Sequence, residues 1–514
     1  MRGVMIQSFG RVLLGAMAVL ACANTARAFS LLGAGFPAWQ TADYDGVALA
    51  YNEPGDLGGP RRVNEGYRWN LPVITYAFDQ SFISYFGLDG VRAVEEAIAV
   101  YKELPPMNKI TTDGFSFFIN GEIVPTRTTL ENGEARLLGL LDVKSTAMHY
   151  LIEELGLAEP ERYAWELGSR ETVNLPGPPD PDFTNYIVLN LNFDPITLRP
   201  TNMVNGVLYG YEIIESQNPD TAEAVETFNP LDVFVNQSVA GGRSVLNAVG
   251  GTFFFGGQAF VLGNAGRFYT GLTHDDVGGL RWLYSPNNFA VENLETNVVF
   301  GTPVANTRGS PWTPFFTGTN ISGTNIVVGT NTLFNTNRLV VQGLRGGINK
   351  LRFQRVNYDS LLGRVFVPIT NRWADRFMTN GQAVVQPVER VITQPDIIFT
   401  AERLGLDDNF FPFLTARTDT SNWQNNDAIN GVDVEVDGGP GVIQPPVIIR
   451  FTDQLPFFIN STELFPGSFP SDASHIQSVI WASFNESSGS TIIYPQYGSI
   501  TLQDLRRSAV GGGN

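Results

Sequence analysis

From Trp69 to Pro286 the chain mixes strand-like and helical apolar patterns, and from about residue 290 onward only the strand-like pattern persists. Trp69 to Phe78 is rich in β-branched and aromatic residues and reads as a strand. Val91, Val94, Ile98 and Tyr101 then recur on one helical face, in a helix opened by Asp89 and ended by Pro105-Pro106. A second helical pattern begins near Ser145, buries Met148, Leu151, Ile152 and Leu155, and stops at Gly156. Strand-like runs follow at Tyr186 to Phe193 and Gly251 to Phe255. The third helix starts at Thr273-His274-Asp275-Asp276, where Thr273 and Asp276 form a capping box and both acids suit the positive helix end. Val277, Leu280, Trp282 and Leu283 carry it on, and Ser285-Pro286-Asn287-Asn288 ends it.

Beyond 290, Asn and Thr rise, and Gly-Thr-Asn recurs at 318–320, 323–325 and 329–331, which reads as hairpin turns in a β-region. Strand signals recur at Arg338 to Val341, Val365 to Ile369, Ile397 to Thr400, Val447 to Phe451 and Thr491 to Tyr494. The expected organisation is a leader at 1–28, an extended lead-in at 29–68, an α+β domain at 69–289, and β-rich domains at 290–395 and 396–514. The last two read as sandwich-like, with the break near Gln394-Pro395-Asp396.

Composition narrows the setting. Arg2 and Arg11, an apolar run from Val12 to Ala23, and Ala26-Arg27-Ala28 together read as a secretory signal cut before Phe29. The rival is a lipoprotein site at Val19-Leu20-Ala21-Cys22. Cys22 is the one cysteine, so a chain cut after Ala28 has neither a disulfide nor a cysteine metal site. A secreted or cell-surface, extracellular or periplasmic, product is expected. The net charge of -18 becomes -21 once the three leader arginines are gone, which weighs against nucleic acid and anionic membrane as partners. After the leader no apolar run reaches membrane-spanning length.

The candidate chemistry lies on the second helix. His149 to Leu157 reads H-Y-L-I-E-E-L-G-L, with His149 and Glu153 one turn apart on one flank. There is no G-x-S-x-G elbow, P-loop or Rossmann fingerprint in a suitable context, and Asp427 to Asp437 lacks EF-hand spacing. On its residues alone, the His149/Glu153 pair reads as an ordinary pair on a partly exposed helix flank, and His274 and His475 read as surface residues.

Residues 69 to 286 nevertheless resemble the matrixins and related metzincin peptidases. Thr75 to Phe78 with the helix after it is similar to the opening of that fold, and His149 with Gly156 is similar to the zinc helix and its glycine turn. Leu272 to Tyr284 is similar to the last matrixin helix, L-x-x-D-D-I-x-G-I-x-x-L-Y. Met203 stands where the resemblance implies the methionine turn. The zinc motif of the family is H-E-x-x-H-x-x-G-x-x-H. In this chain the base position is Tyr150, the second His position is Glu153 and the third is Glu159. A tyrosine, with an ordinary pKa of about 10, is no base for water at neutral pH.

The fold class expected is therefore an α+β metzincin-like N-terminal domain followed by an all-β sandwich-like region. The expected function is that of a secreted protein whose matrixin-like domain has lost zinc peptidase activity. It would act in extracellular binding or assembly on an unidentified protein or polysaccharide, with no catalytic residue and no cofactor assigned. The first alternative is an active metallopeptidase holding zinc on His149, Glu153 and Glu159, and the second is a structural surface or adhesion protein.

Overall fold

The computed structural model describes residues 28–32, 60–173, 183–214, 224–228, 265–300, 339–358, 366–401, 422–425, 440–451, 454–456, 476–478 and 480–511, except 488, 497 and 499. The expected strand at 251–255, the Gly-Thr-Asn triplets, the acidic run 427–437 and His475 lie outside these residues. The architecture is mixed, with few helices and many short strands.

Three helices frame the region of interest. Helix α1 spans Gln80–Glu103, α2 spans Val143–Glu154 and α3 spans His274–Leu283. Helix α1 starts nine residues before the expected Asp89, because Asp79 caps it by accepting from the Phe82 amide at 2.9 Å. Gly87, at φ 61°, then interrupts the helical backbone, so the Asp89 signal marks the resumption after a kink. Helix α2 likewise starts earlier than Ser145, with Asp142 accepting from the Ser145 amide at 2.8 Å and its hydroxyl at 2.6 Å. The Thr273 capping box is present as expected.

The strand expected over 69–78 is shorter, Ile74–Phe78, and lies inside a four-stranded parallel sheet. Its neighbours are Phe353–Arg355 on one side and Ile397–Thr400 on the other, with Val447–Arg450 beyond the latter. The sheet thus crosses the boundaries expected at 289/290 and 395/396. One apolar cluster contains Phe29, Ile98, Leu151, Leu280, Phe353, Phe399, Ile449 and Trp481, so the lead-in and all three expected domains contribute to the same core. Parallel strands need long crossovers, and here chain segments of tens to hundreds of residues intervene.

A separate five-stranded antiparallel sheet has the order Phe289–Asn293, Gln342–Gly346, Ile369–Thr379, Gln382–Ile392, Val298–Phe300. Its long hairpin turns at Asn380-Gly381, both at positive φ, as a two-residue turn requires. The strand expected at 338–341 appears instead at 342–346, and that expected at 365–369 begins only at Ile369, just after Pro368. The sheet's inner face is tied down by charge. Arg345 makes a bidentate pair with Asp375 at 2.9 and 2.8 Å, and Arg68 reaches Glu292 at 2.6 Å, all four side chains buried. No described helix is long and apolar enough to cross a membrane.

Candidate metal-ligand cluster

Helix α2 presents the candidate residues, and its ends are held from several directions. Tyr101 Oη donates to the Met148 carbonyl at 2.5 Å. Trp69 Nε1 donates to Glu154 O at 2.6 Å and Tyr284 Oη to Leu155 O at 2.9 Å, which satisfies carbonyls left over at the helix end. Burial pushes the Tyr101 hydroxyl well above the ordinary tyrosine range, with Asp276 and Glu153 adding to the shift, so it stays a neutral donor.

The turn out of α2 requires glycine. Gly156 sits at φ +97°, and a Cβ there would fall 2.0 Å from Tyr67 O and 2.9 Å from Leu283 Cδ2. Leu157–Ala158 then pairs antiparallel with Ser30–Leu32, and the chain arrives at Glu159. Leu32 N donates to Gly156 O at 2.9 Å, so the N-terminal strand clamps the turn that delivers Glu159.

Glu153 and Glu159 converge on His149. His149 Nε2 lies 3.5 Å from Glu153 Oε2 and 3.9 Å from Glu159 Oε1, and the three ligand atoms all lie within 4.8 Å of one another. The partly exposed flank expected for this pair is corrected: His149 is 3%, Glu153 2% and Glu159 1% exposed, and the chain beyond Gly156 brings Glu159 up to His149. Glu154 and Glu161 are buried nearby in sequence. Tyr269, also buried, has its hydroxyl pushed well above its usual range, chiefly by burial and then by Glu161 and Asp276.

Tyr150, at the position where the resemblance implies a base, is 2% exposed. Its ring packs on His149 at 5.5 Å and on Phe451 at 5.6 Å, where Phe451 follows the last strand of the parallel sheet. The side chain is a core residue.

Helix α3 supplies the supporting wall. Asp275 Oδ2 accepts from Ala28 N at 2.9 Å and from Asn205 N at 2.6 Å, while Oδ1 lies 3.0 Å from His274 Nδ1. His274, expected on the surface, is fully buried and stacks on Phe117 at 4.5 Å. Asp276 is the capping partner expected, but Asp275 is an anchor for two distant backbone amides, which no local pattern announces. Gly278 and Gly279 permit close packing of α3, since a Cβ would meet Pro195 at 2.5 Å in one case and Leu157 and Phe29 at 2.9 Å in the other. Met203 is half-buried in a short hairpin turning at Asn205-Gly206, and that turn is bound to α3 through the Asn205 amide. Asp142, missed in the sequence reading, is held up at about 6 by burial despite its bonds from Ser145. The signal that could have found it is an acid three residues before Ser145 at the head of an apolar-periodic run.

As donors, one imidazole and two carboxylates suit a divalent cation. They do not reproduce the three-imidazole zinc site that the resemblance implies, since two carboxylates add negative charge and weaken a metal's Lewis acidity. No family model, curated protein or solved structure matches the chain.

Proposed function

We propose that this is an exported protein whose matrixin-like domain has lost zinc peptidase chemistry and that acts in extracellular binding or assembly. The observation that carries the reading is Tyr150, which takes the place of the base and is packed into the core against Phe451. A water-activating group must reach the reacting atoms, and a buried tyrosine held by aromatic packing has neither the basicity nor the access. The near-complete burial of His149, Glu153 and Glu159 supports the same reading, because a peptidase needs an open position for its substrate.

The helix expected near His149 and the strand Thr75 to Phe78 are both present and share one core, which favours matrixin kinship over chance likeness in a purely structural adhesion protein. A second reading, a metallopeptidase with a His149/Glu153/Glu159 site, is favoured by the convergence of those three side chains at the family's spacing. A zymogram on the purified full chain, with and without chelator, decides between the two. No cleavage under either condition is expected, and chelator-sensitive cleavage would overturn the non-catalytic reading.

A further inference from the structure

The mismatch between the donor set and the zinc site of the family carries an inference of its own, which rests on the non-catalytic reading above. We infer that His149, Glu153 and Glu159 hold one divalent cation in a closed, structural centre of oxygen-preferring character, for which manganese is the fitting probe.

The geometry is that of a nearly assembled ligand set. A helix turn fixes the first edge of the triangle, His149 to Glu153, and the glycine turn with its clamped strand fixes the second, His149 to Glu159. These two edges are 3.5 and 3.9 Å, and all three ligand atoms lie within 4.8 Å of one another, close enough for one ion to draw them together. Two carboxylates favour manganese, calcium or magnesium over softer ions, and the imidazole weighs against calcium and magnesium, whose sites are built mainly from oxygen. Manganese satisfies both donors.

Burial and charge agree. A divalent ion would offset the charge of two carboxylates as deeply buried as Glu153 and Glu159. With all three ligand residues shut off from solvent there is no way in for a peptide substrate, so the ion's role would be structural. The ion would join α2 to the segment after Gly156 and, through Leu157–Ala158, to the strand Ser30–Leu32. Its work would be to lock the N-terminal strand onto the helix.

The test uses the full chain, stripped with chelator and then given Mn2+, Zn2+ or Ca2+ singly. Bound metal per chain is counted, the free-ion Mn2+ EPR signal is followed, and the thermal midpoint is recorded. About one Mn2+ per chain is expected, with a midpoint that climbs as the ion is added and slower amide exchange at Leu31, Leu157 and Ala158. Glu153→Gln and Glu159→Gln, which keep side-chain volume, should each weaken Mn2+ binding by at least about tenfold. Failure of any ion to bind, Mn2+ binding unchanged in both variants, or uptake of zinc with no response to manganese would each overturn the inference. These outcomes are separate from the zymogram, since an inert chain without metal spares the loss of peptidase chemistry and removes only the structural centre.

Discussion

Helices α2 and α3 bring buried acids to the same region of the molecule and use them in opposite ways. On α3 the acids meet backbone amides: Asp276 closes the capping box with Thr273, and Asp275 takes the amides of Ala28 and Asn205. On α2 and its exit, Glu153 and Glu159 meet a histidine ring at 3.5 and 3.9 Å. A carboxylate saturated by backbone donors is anchoring the fold. Two carboxylates gathered with one imidazole offer three candidate ligand atoms. The two regions therefore differ in what gathers around the imidazole: Asp275 meets His274 at 3.0 Å while its other oxygen takes two backbone amides, whereas two carboxylates converge on His149.

The largest expected effect comes from removing the α3 anchor. Measured on the uncut chain, which keeps Ala28, Asp275→Ala leaves two buried amides without their acceptor and should cost roughly 4 kcal/mol in urea-induced unfolding, at about 1–3 kcal/mol per group. A loss under about 1 kcal/mol would mean that Ala28 and Asn205 find acceptors elsewhere, and the contrast between the helices would weaken. Gly156→Ala, at the exit of α2, should cost about 3 kcal/mol, from positive-φ strain and the clash with Tyr67 O. An unfolding curve unchanged by this substitution would show that the turn delivering Glu159 is not the tight one seen here.

Asp142, the cap of α2, gives a pH signature of its own. Its folded pKa, raised by burial to about 6, exceeds the unfolded value of about 3.9. The stabilising contribution of its proton is therefore fully present below about pH 4 and is lost as pH rises through about 6. Asp142→Asn keeps a capping oxygen and removes this titration, so the variant should gain on the wild type across that window, reaching on the order of 2 kcal/mol at pH 7. Stability measured from pH 4 to 7 in both proteins would reveal parallel curves if the cap does not titrate there. The smallest effect is expected at the α3 cap, where Thr273→Ala should cost about 1 kcal/mol, read as a shift in the denaturation midpoint. A cost equal to that of Asp275→Ala would erase the distinction between cap and anchor.

Much of the local structure was legible. The Thr273 capping box, the strand Ile397–Thr400, the glycine stop after α2 and the shared flank of His149 and Glu153 all follow from short-range rules and are found in place. The early starts of α1 and α2 were missed because Asp79 and Asp142 lie at the ends of strands, where capping acids look like loop residues. The burial of the His149 flank was missed for a different reason. The surroundings of α2 are built from segments far away in sequence: residues 30–32 pair with the strand after Gly156, and Phe451 packs on Tyr150.

The sequence by itself determined the periodic faces, the caps, the glycine turn and the spacing that allows His149, Glu153 and Glu159 to meet, because backbone geometry sets those within a few residues. Only the tertiary structure decided that they do meet, that Tyr150 is a core residue, and that Ile74–Phe78 lies between Phe353–Arg355 and Ile397–Thr400. Strand pairing uses backbone groups that every residue shares, so the partner is chosen by burial across the whole chain.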